Sequence, residues 1–337
     1  MKGIPGRLAQ GFKTLMIAVG VGALGWSSSQ ARGDEIALTW HGQATTVLQT
    51  AGDLLLIDAF FVQSASIAAL PTRAGVEARH GGILKLILLT HGHADHFGVA
   101  LNLLEAGSAP SCTPGPPVEP LLPLLAANSE LIRNLVALKL VGDPCRVVDW
   151  NIGGKLTPGR VIQLGQLVPP LSGTFPAIGD ISEITMVPAE HSSSLTDAEG
   201  IARNGGEAIG YIIRFKNGFT LYHAGDTYVF DEMRTLGERY DIDLAVLPIG
   251  GNFTMDPVDA AFAAVKLLKP RFVIPVHYAA GSQRPFGFSP ALVGTPEEFI
   301  KAIGPRRDIE VIVPQRGDTV IFRGAGRSAT ADVLRVE

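Results

Sequence analysis

Cysteine is nearly absent from this 337-residue sequence: Cys112 and Cys145 are the only two, and neither has a CxxC spacing or a histidine beside it. That speaks against a metal site built on thiolates. A strong excess of charge is lacking too. The 28 Lys and Arg against 32 Asp and Glu leave a formal charge of -4, which gives no reason to expect nucleic acid as a partner, because such binding leans on clustered basic residues. No internal repeat is visible. The apolar run at residues 15–26 has 12 residues, short of the roughly 20 that a membrane-spanning helix needs. What is plentiful is Gly (39) and Pro (23) within a chain that is 46% hydrophobic. Such a composition fits many turns and strand ends rather than a helical bundle, with length for one large domain or two modest ones around a substantial core.

The N-terminus differs from the rest. Lys2, Arg7 and Lys13 precede the apolar run, and Ser29 and Ala31 follow it as a small-x-small site. This is the pattern of a secretory signal peptide over residues 1–31, with the periplasm as destination and a retained membrane anchor as the less favoured reading. No twin-arginine pair occurs there, so export of the unfolded chain is expected. In an oxidising compartment Cys112 and Cys145 are expected to form a disulfide worth about 3 kcal/mol, two unpaired buried thiols being the alternative.

From Glu35 onward short apolar strands alternate with helices. Strands are expected at 36–40, 45–49, 54–57 and 84–89, the last a continuous apolar run that reads as buried on both faces. A helix is expected at 98–104. Prolines at 110, 114, 116, 117, 120 and 123 make residues 106–125 an extended surface insertion, followed by a helix at 129–140 with Ser129 as its cap. Strands follow at 183–187, 208–215 and 219–223, the last two joined by the Asn217-Gly218 hairpin turn. Further strands are expected at 243–247, 272–276, 309–313 and 319–322, with helices opened by Asp256-Pro257 and Thr295-Pro296. The domain is expected to span residues 35–325, its sheets packed face to face with helices outside.

Eight histidines occur, and three of them, His91, His93 and His96, share one short loop with Asp95 directly after an apolar strand. Imidazole and carboxylate are ordinary ligands for zinc, manganese or iron. His91 and His93 lie two apart and can point the same way, while Asp95 and His96 turn to a second position, so one loop offers halves of two adjacent sites. His191, Asp226 and His277 each follow a predicted buried strand, and strand ends on one edge of a sandwich converge on one cleft. His223, inside a strand, reads as a packed residue, and His41 and His80 read as surface positions.

The sequence resembles the metallo-β-lactamase superfamily, in its branch of small metal-dependent hydrolases related to ascorbate-phosphate lactonase. The resemblance is carried by Thr-His-Gly-His-Ala-Asp-His-Phe-Gly at 90–98, Asn-Ile-Gly-Gly at 151–154 and Pro-Ala-Glu-His-Ser-Ser-Ser at 188–194. Tyr-His-Ala-Gly-Asp-Thr at 222–227, Leu-Pro-Ile-Gly-Gly-Asn-Phe-Thr-Met at 247–255 and Ile-Pro-Val-His-Tyr at 274–278 complete it in the family's order. It implies an αββα sandwich with two divalent metal ions, zinc before manganese or iron. One would be held by His91, His93 and His191, the other by Asp95, His96 and His277, with Asp226 bridging and Asp58 supporting from behind. His93 stands where relatives with iron redox chemistry carry an acid, so hydrolysis is implied. Gln43 stands where relatives in this branch carry His.

The implied reaction is hydrolysis of a small ester, lactone or phosphodiester by a hydroxide between the metals, with Asp95 and Asp226 as catalytic carboxylates. Asn252, Tyr278 and Gln43 are candidate substrate contacts. β-Lactam hydrolysis is the runner-up, and an exported metal-binding protein without catalysis is the reading from another class. The expected partner is a small molecule. Neither nucleic acid nor a stable membrane span after signal removal is expected, and oligomeric state is not readable.

Overall fold

Runs that are apolar at every position become strands covered on both sides, and this decides the layering. A computed structural model of the chain describes residues 35–61, 72–104, 122–165, 171–278 and 292–335. The expected signal peptide lies outside the described residues, as do Cys112 and most of the Pro-rich stretch.

The described residues open with a meander of β1 (Glu35–Trp40), β2 (Thr46–Thr50) and β3 (Asp53–Ile57). After α1 (Arg73–His80), β4 (Ile83–Leu88) pairs parallel to β3. The short helices α2 (Ala94–Phe97) and α3 (Ala100–Leu104) follow. Then come β5 (Leu124–Asn128), α4 (Ser129–Ala137) and β6 (Val147–Trp150), extending the parallel run. β7 (Lys155–Leu156) belongs to a second sheet, whereas β8 (Val161–Leu164) and β9 (Leu171–Thr174) continue the first.

The second half builds mainly the second sheet. β10 (Ile181–Pro188) is followed by a separate small hairpin, β11 (Ser194–Thr196) and β12 (Ala202–Asn204). Next are β13 (Ile209–Phe215), β14 (Thr220–His223), α5 (Glu232–Tyr240) and β15 (Leu244–Pro248). α6 (Pro257–Phe262) runs on into a π-helical turn, Ala263–Leu268. β16 (Phe272–Val276), α7 (Pro296–Ile303) and β17 (Glu310–Val311) complete that sheet. β18 (Thr319–Arg323) and β19 (Thr330–Leu334) return to the first.

The first sheet has the order β19-β18-β1-β2-β3-β4-β5-β6-β8-β9, the second β17-β16-β15-β14-β13-β10-β7. Alternation within β3 shows how four layers arise. Leu55 and Ile57 join the core between the sheets, with Ile213, Leu221 and Val246 of the second sheet. Leu54 and Leu56 point the other way, into a layer with Val76 of α1, Leu103 of α3 and Leu135 of α4. Met233 of α5, Ala260 of α6 and Phe299 of α7 cover the far side of the second sheet. The result is the expected αββα sandwich. Among the described residues no helix is long and apolar enough to cross a membrane.

Several local expectations are corrected. The Pro-rich stretch ends before Leu124, because Leu124–Asn128 is a fully buried strand inside the sheet. The domain runs past 325, since β19 pairs with β18 in register from Arg323↔Thr330 to Thr319↔Leu334. The cap of α4 is Asn128 rather than Ser129: Asn128 Oδ1 accepts from Leu131 N at 2.8 Å, while its amide nitrogen donates to the carbonyls of Gly205 and Glu207. Cys145 is buried and disulfide-bonded.

His41 and His80 are not surface residues. His41 is fully buried against the edge of Phe61, and its Nε2 lies 3.1 Å from Nε2 of the half-buried His80. Burial first, then repulsion between its own protonated form and His80, Arg79 and Arg316, holds His41 well below the usual histidine value. Burial and Arg79 lower His80 to about 3. Both rings are therefore neutral in the fold, one donating and one accepting. The unfolded chain takes up these protons below about pH 6.5 and the folded chain does not, so this pair costs stability as pH falls through that value. His80→Gln keeps a group that can meet His41 but cannot be protonated. The fall in unfolding free energy between about pH 7.5 and about pH 5.5, measured by urea denaturation, should shrink in this variant, by up to one proton's worth, roughly 1.4 kcal/mol per pH unit. An unchanged fall would show that the pair does not stay neutral.

Candidate metal centre

Parallel strands bring their carboxyl ends to one edge, and each candidate residue follows such an end. Asp58 follows β3 and the loop from Thr90 follows β4. His191, Asp226 and His277 come shortly after β10, β14 and β16. Two contacts tie the sheets together there: Ile209 N donates to Thr90 O at 3.0 Å, and the Tyr211 hydroxyl donates to Leu89 O at 2.6 Å.

Asp58 organises the loop from beneath. It is fully buried, and its Oδ1 accepts from Thr90 N at 2.8 Å. Its Oδ2 accepts from Thr90 Oγ1 at 2.8 Å and meets His96 Nδ1 at 2.7 Å. With Nδ1 so engaged, His96 Nε2 is turned to the other side, toward Asp226. Ala59 N donates to the His96 carbonyl at 2.8 Å, which fixes the end of α2 against the same strand.

Asp226 hangs from a turn that only glycine allows. Gly225 has φ +63°, and a Cβ there would lie 2.7 Å from Thr90 Cβ. His223 steadies this turn: its Nδ1 accepts from Gly225 N at 3.2 Å, and its Nε2 lies 3.1 Å from Ala44 O. A carbonyl only accepts, so Nε2 carries the proton. His223 is thus the buried strand residue expected, with a positioning role besides.

The structure brings all seven expected ligands together. Asp226 Oδ2 lies 3.1 Å from His277 Nε2, 3.3 Å from His96 Nε2 and 3.7 Å from His191 Nε2. Asp95 Oδ2 is 3.4 Å from His277 Nε2, and His91 Nε2 is 3.0 Å from His93 Nδ1. Three groups each hold their donor atoms within 4.8 Å of one another: His91–His93–His191, His91–His96–Asp226 and Asp95–His96–His277. His91, His96, Asp226 and His277 are buried; His93, Asp95 and His191 are partly exposed and form the open side.

This cluster fits a cation site on its own chemistry. Asp226 Oδ1 and His96 Nε2 are buried without a hydrogen-bond partner of ordinary geometry among the described residues, a situation that costs free energy unless something else is bound there. Burial disfavours charge at every member, yet the two ends respond differently. The charges of Asp226 and Asp58 override burial and raise His96 well above the usual value. Asp226 and Asp95 raise His277 to about 9. Those same histidines hold both Asp95 and Asp226 below the ordinary carboxylate range despite their burial. At the other end burial keeps His91, His93 and His191 neutral. Neutral imidazoles on one side and ionised carboxylates in the middle form a donor set for divalent cations.

Of the candidate substrate contacts, Gln43 touches the cluster: its Nε2 donates to Asp95 Oδ2 at 3.0 Å and lies 3.3 Å from His277 Nε2. Tyr278 is buried, its ring stacked on Trp40 at 5.4 Å. Asn252 is exposed in a left-handed turn after β15. Sequence reasoning missed the role of Thr90, whose hydroxyl joins Asp58 to His91 Nδ1 at 3.1 Å. A threonine between an apolar strand and the first ligand was the available signal.

Two face-to-face sheets with helices outside, and a histidine–aspartate cluster at one strand edge, define a metal-dependent hydrolase of the metallo-β-lactamase kind. The chain belongs to that superfamily: the family described as "Beta-lactamase superfamily domain" matches residues 54–278. It is 36% identical over 296 residues to a UPF0173 metal-dependent hydrolase of Cupriavidus metallidurans, covering 84% of each chain. A UPF0173 relative from Rubrobacter xylanophilus is 33% identical over 281 residues, 82% of this chain and 93% of that one. Among solved structures it is similar to Igni18, a metallo hydrolase from the archaeon Ignicoccus hospitalis. The TM-score is 0.58 at 26% identity, covering 86% of this chain and 99% of that one.

Proposed function

We propose that the chain works with two divalent cations, zinc foremost, and hydrolyses a small ester, lactone or phosphodiester. His91, His93 and His191 would hold one cation and Asp95, His96 and His277 the other, with Asp226 shared. The observation that carries this reading is the overlap of donor groups: two separate triads joined by a third that contains Asp226. Cations held there supply Lewis-acid polarisation of a carbonyl or phosphoryl oxygen and make a water acidic enough to lose its proton near neutral pH.

The chain's own residues account for the rest. Asp58 and Thr90 fix the imidazoles of His96 and His91, so the site is oriented before substrate arrives. Substrate enters on the side of His93, Asp95 and His191, the partly exposed members. Asp95 is one of these partly exposed members and is placed to orient the attacking water as well as to act as a ligand. The N-terminal pattern supports a periplasmic place of action; recovery of the intact, uncleaved chain from the cytoplasm alone would exclude it.

The purified protein should carry about two divalent ions per chain, and the His91→Ala/Asp226→Ala double variant far fewer. Turnover is expected on one class within a panel of lactones, phosphodiesters and carboxyl esters. Equal metal content in both proteins would sink the assignment of ligands. Metal without turnover on any class would sink catalysis. Hydrolysis of nitrocefin at ~10⁴ M⁻¹s⁻¹ or above would replace the substrate class with β-lactams.

A further inference from the structure

Gln43 sits on the second triad in a manner that hydrolysis does not require. Its amide nitrogen donates to Asp95 Oδ2 at 3.0 Å and lies 3.3 Å from His277 Nε2. Both atoms belong to the Asp95–His96–His277 group. The partner of the carboxylate must be the NH₂ end of the amide, and that end has no lone pair to offer a cation. Anything bound between Asp95 Oδ2 and His277 Nε2 has to move it aside.

The backbone holds the side chain in this place. Gln43 has φ +46° in the turn between β1 and β2, which is closed by Thr45 N to Gly42 O at 3.0 Å. Its carbonyl accepts from Trp40 Nε1 at 2.9 Å and from His277 N at 3.0 Å. The stack of Tyr278 on Trp40 backs the same turn. At the other triad His91 Nε2 and His93 Nδ1 meet each other at 3.0 Å, and among the described residues no side chain from outside that triad donates to His93 or His191. The two half-sites therefore differ in what a cation must displace.

Resting on the two-cation reading, we propose that Gln43 is a positioning residue that makes the half-sites unequal. The His91–His93–His191 site fills first. The second fills at higher concentration, because the amide must leave Asp95 and His277, and its occupancy then follows the surrounding metal concentration. Metal supply would in this way set how much of the protein is fully loaded.

The test is calorimetric titration of the metal-stripped full-length protein with Zn²⁺, comparing wild type, Gln43→Ala and Gln43→Asn. Asn tolerates the left-handed backbone and is one methylene shorter, so it decides the matter if the Ala variant does not fold. In wild type two steps are expected, the second weaker. In the variants the second step should tighten about tenfold, the scale of one hydrogen bond to a charged group, while the first stays within about twofold. A second step that is unchanged or weaker, with the first intact, overturns the role of Gln43. Loss of even the first step from wild type overturns the two-cation reading, and this inference with it.

Discussion

Replacing Asp226 by Asn is expected to lower kcat/KM by about 10³-fold or more, equivalent to ~4 kcal/mol of transition-state stabilisation, and to reduce bound metal below two ions per chain. The carboxylate is buried and lies within 3.7 Å of three imidazoles from three different strand ends. Asn keeps the volume and the turn at Gly225 but removes the negative charge to which His96 and His277 are matched. The fold should therefore survive while the centre fails. The measurement is turnover on the best substrate of the panel, with elemental analysis of the same sample. Activity within about tenfold of wild type would exclude a central role for this carboxylate.

The second large effect concerns a residue that need not touch metal or substrate. Asp58→Ala is expected to cost about 3–5 kcal/mol of stability and to weaken metal binding about 10–100-fold. One buried carboxylate here satisfies Thr90 N, Thr90 Oγ1 and His96 Nδ1. Truncation leaves Thr90 N without its acceptor and strips His96 Nδ1 and the Thr90 hydroxyl of their carboxylate partner, the hydroxyl keeping only its ring contacts with His91 and His96, in a place where lost partners carry a desolvation penalty. Asp58→Asn should fall between, because its remaining oxygen can still accept from Thr90 N while the amide nitrogen cannot accept from His96. Urea denaturation with and without metal separates the two losses. An Ala variant within about 1 kcal/mol of wild type would show that the loop is held by something else.

Much of the site was legible because chemistry was written locally. Histidines and an aspartate at 91–96 follow an apolar strand, and a polar residue just past a buried strand lands at the sheet edge whatever the sheet's order. Asp58 was legible through the family resemblance, which implies an acid supporting the site from behind. Thr90 was visible in the run of letters but not in its role, which depends on a carboxylate 32 residues away. Helices with explicit signals were also legible. Asp256 caps α6 with Pro257 at its first turn, and Thr295 with Glu298 forms a capping box for α7. α5 was not. It carries Gly237 in its interior, where the helix packs so closely on the 263–268 turn that a Cβ would lie 2.4 Å from Leu267 O. Only the neighbour explains the glycine.

By itself the sequence determined the alternation of elements, the αββα class and the identity of the seven clustered residues. Periodicity and donor chemistry are properties of short segments. Tertiary structure decided what depends on partners far away. Thr39 meets Thr319 across 280 residues of chain, and β19 closes the sheet by pairing with β18. His41 and His80 are buried against each other, and Gln43 is turned onto Asp95 and His277. A strand's pattern fixes which faces it buries, but only packing selects the neighbour on each side. For this reason the loop His91 to His96 marks the centre in one dimension, whereas the residue that would set the terms of its filling emerges only in three.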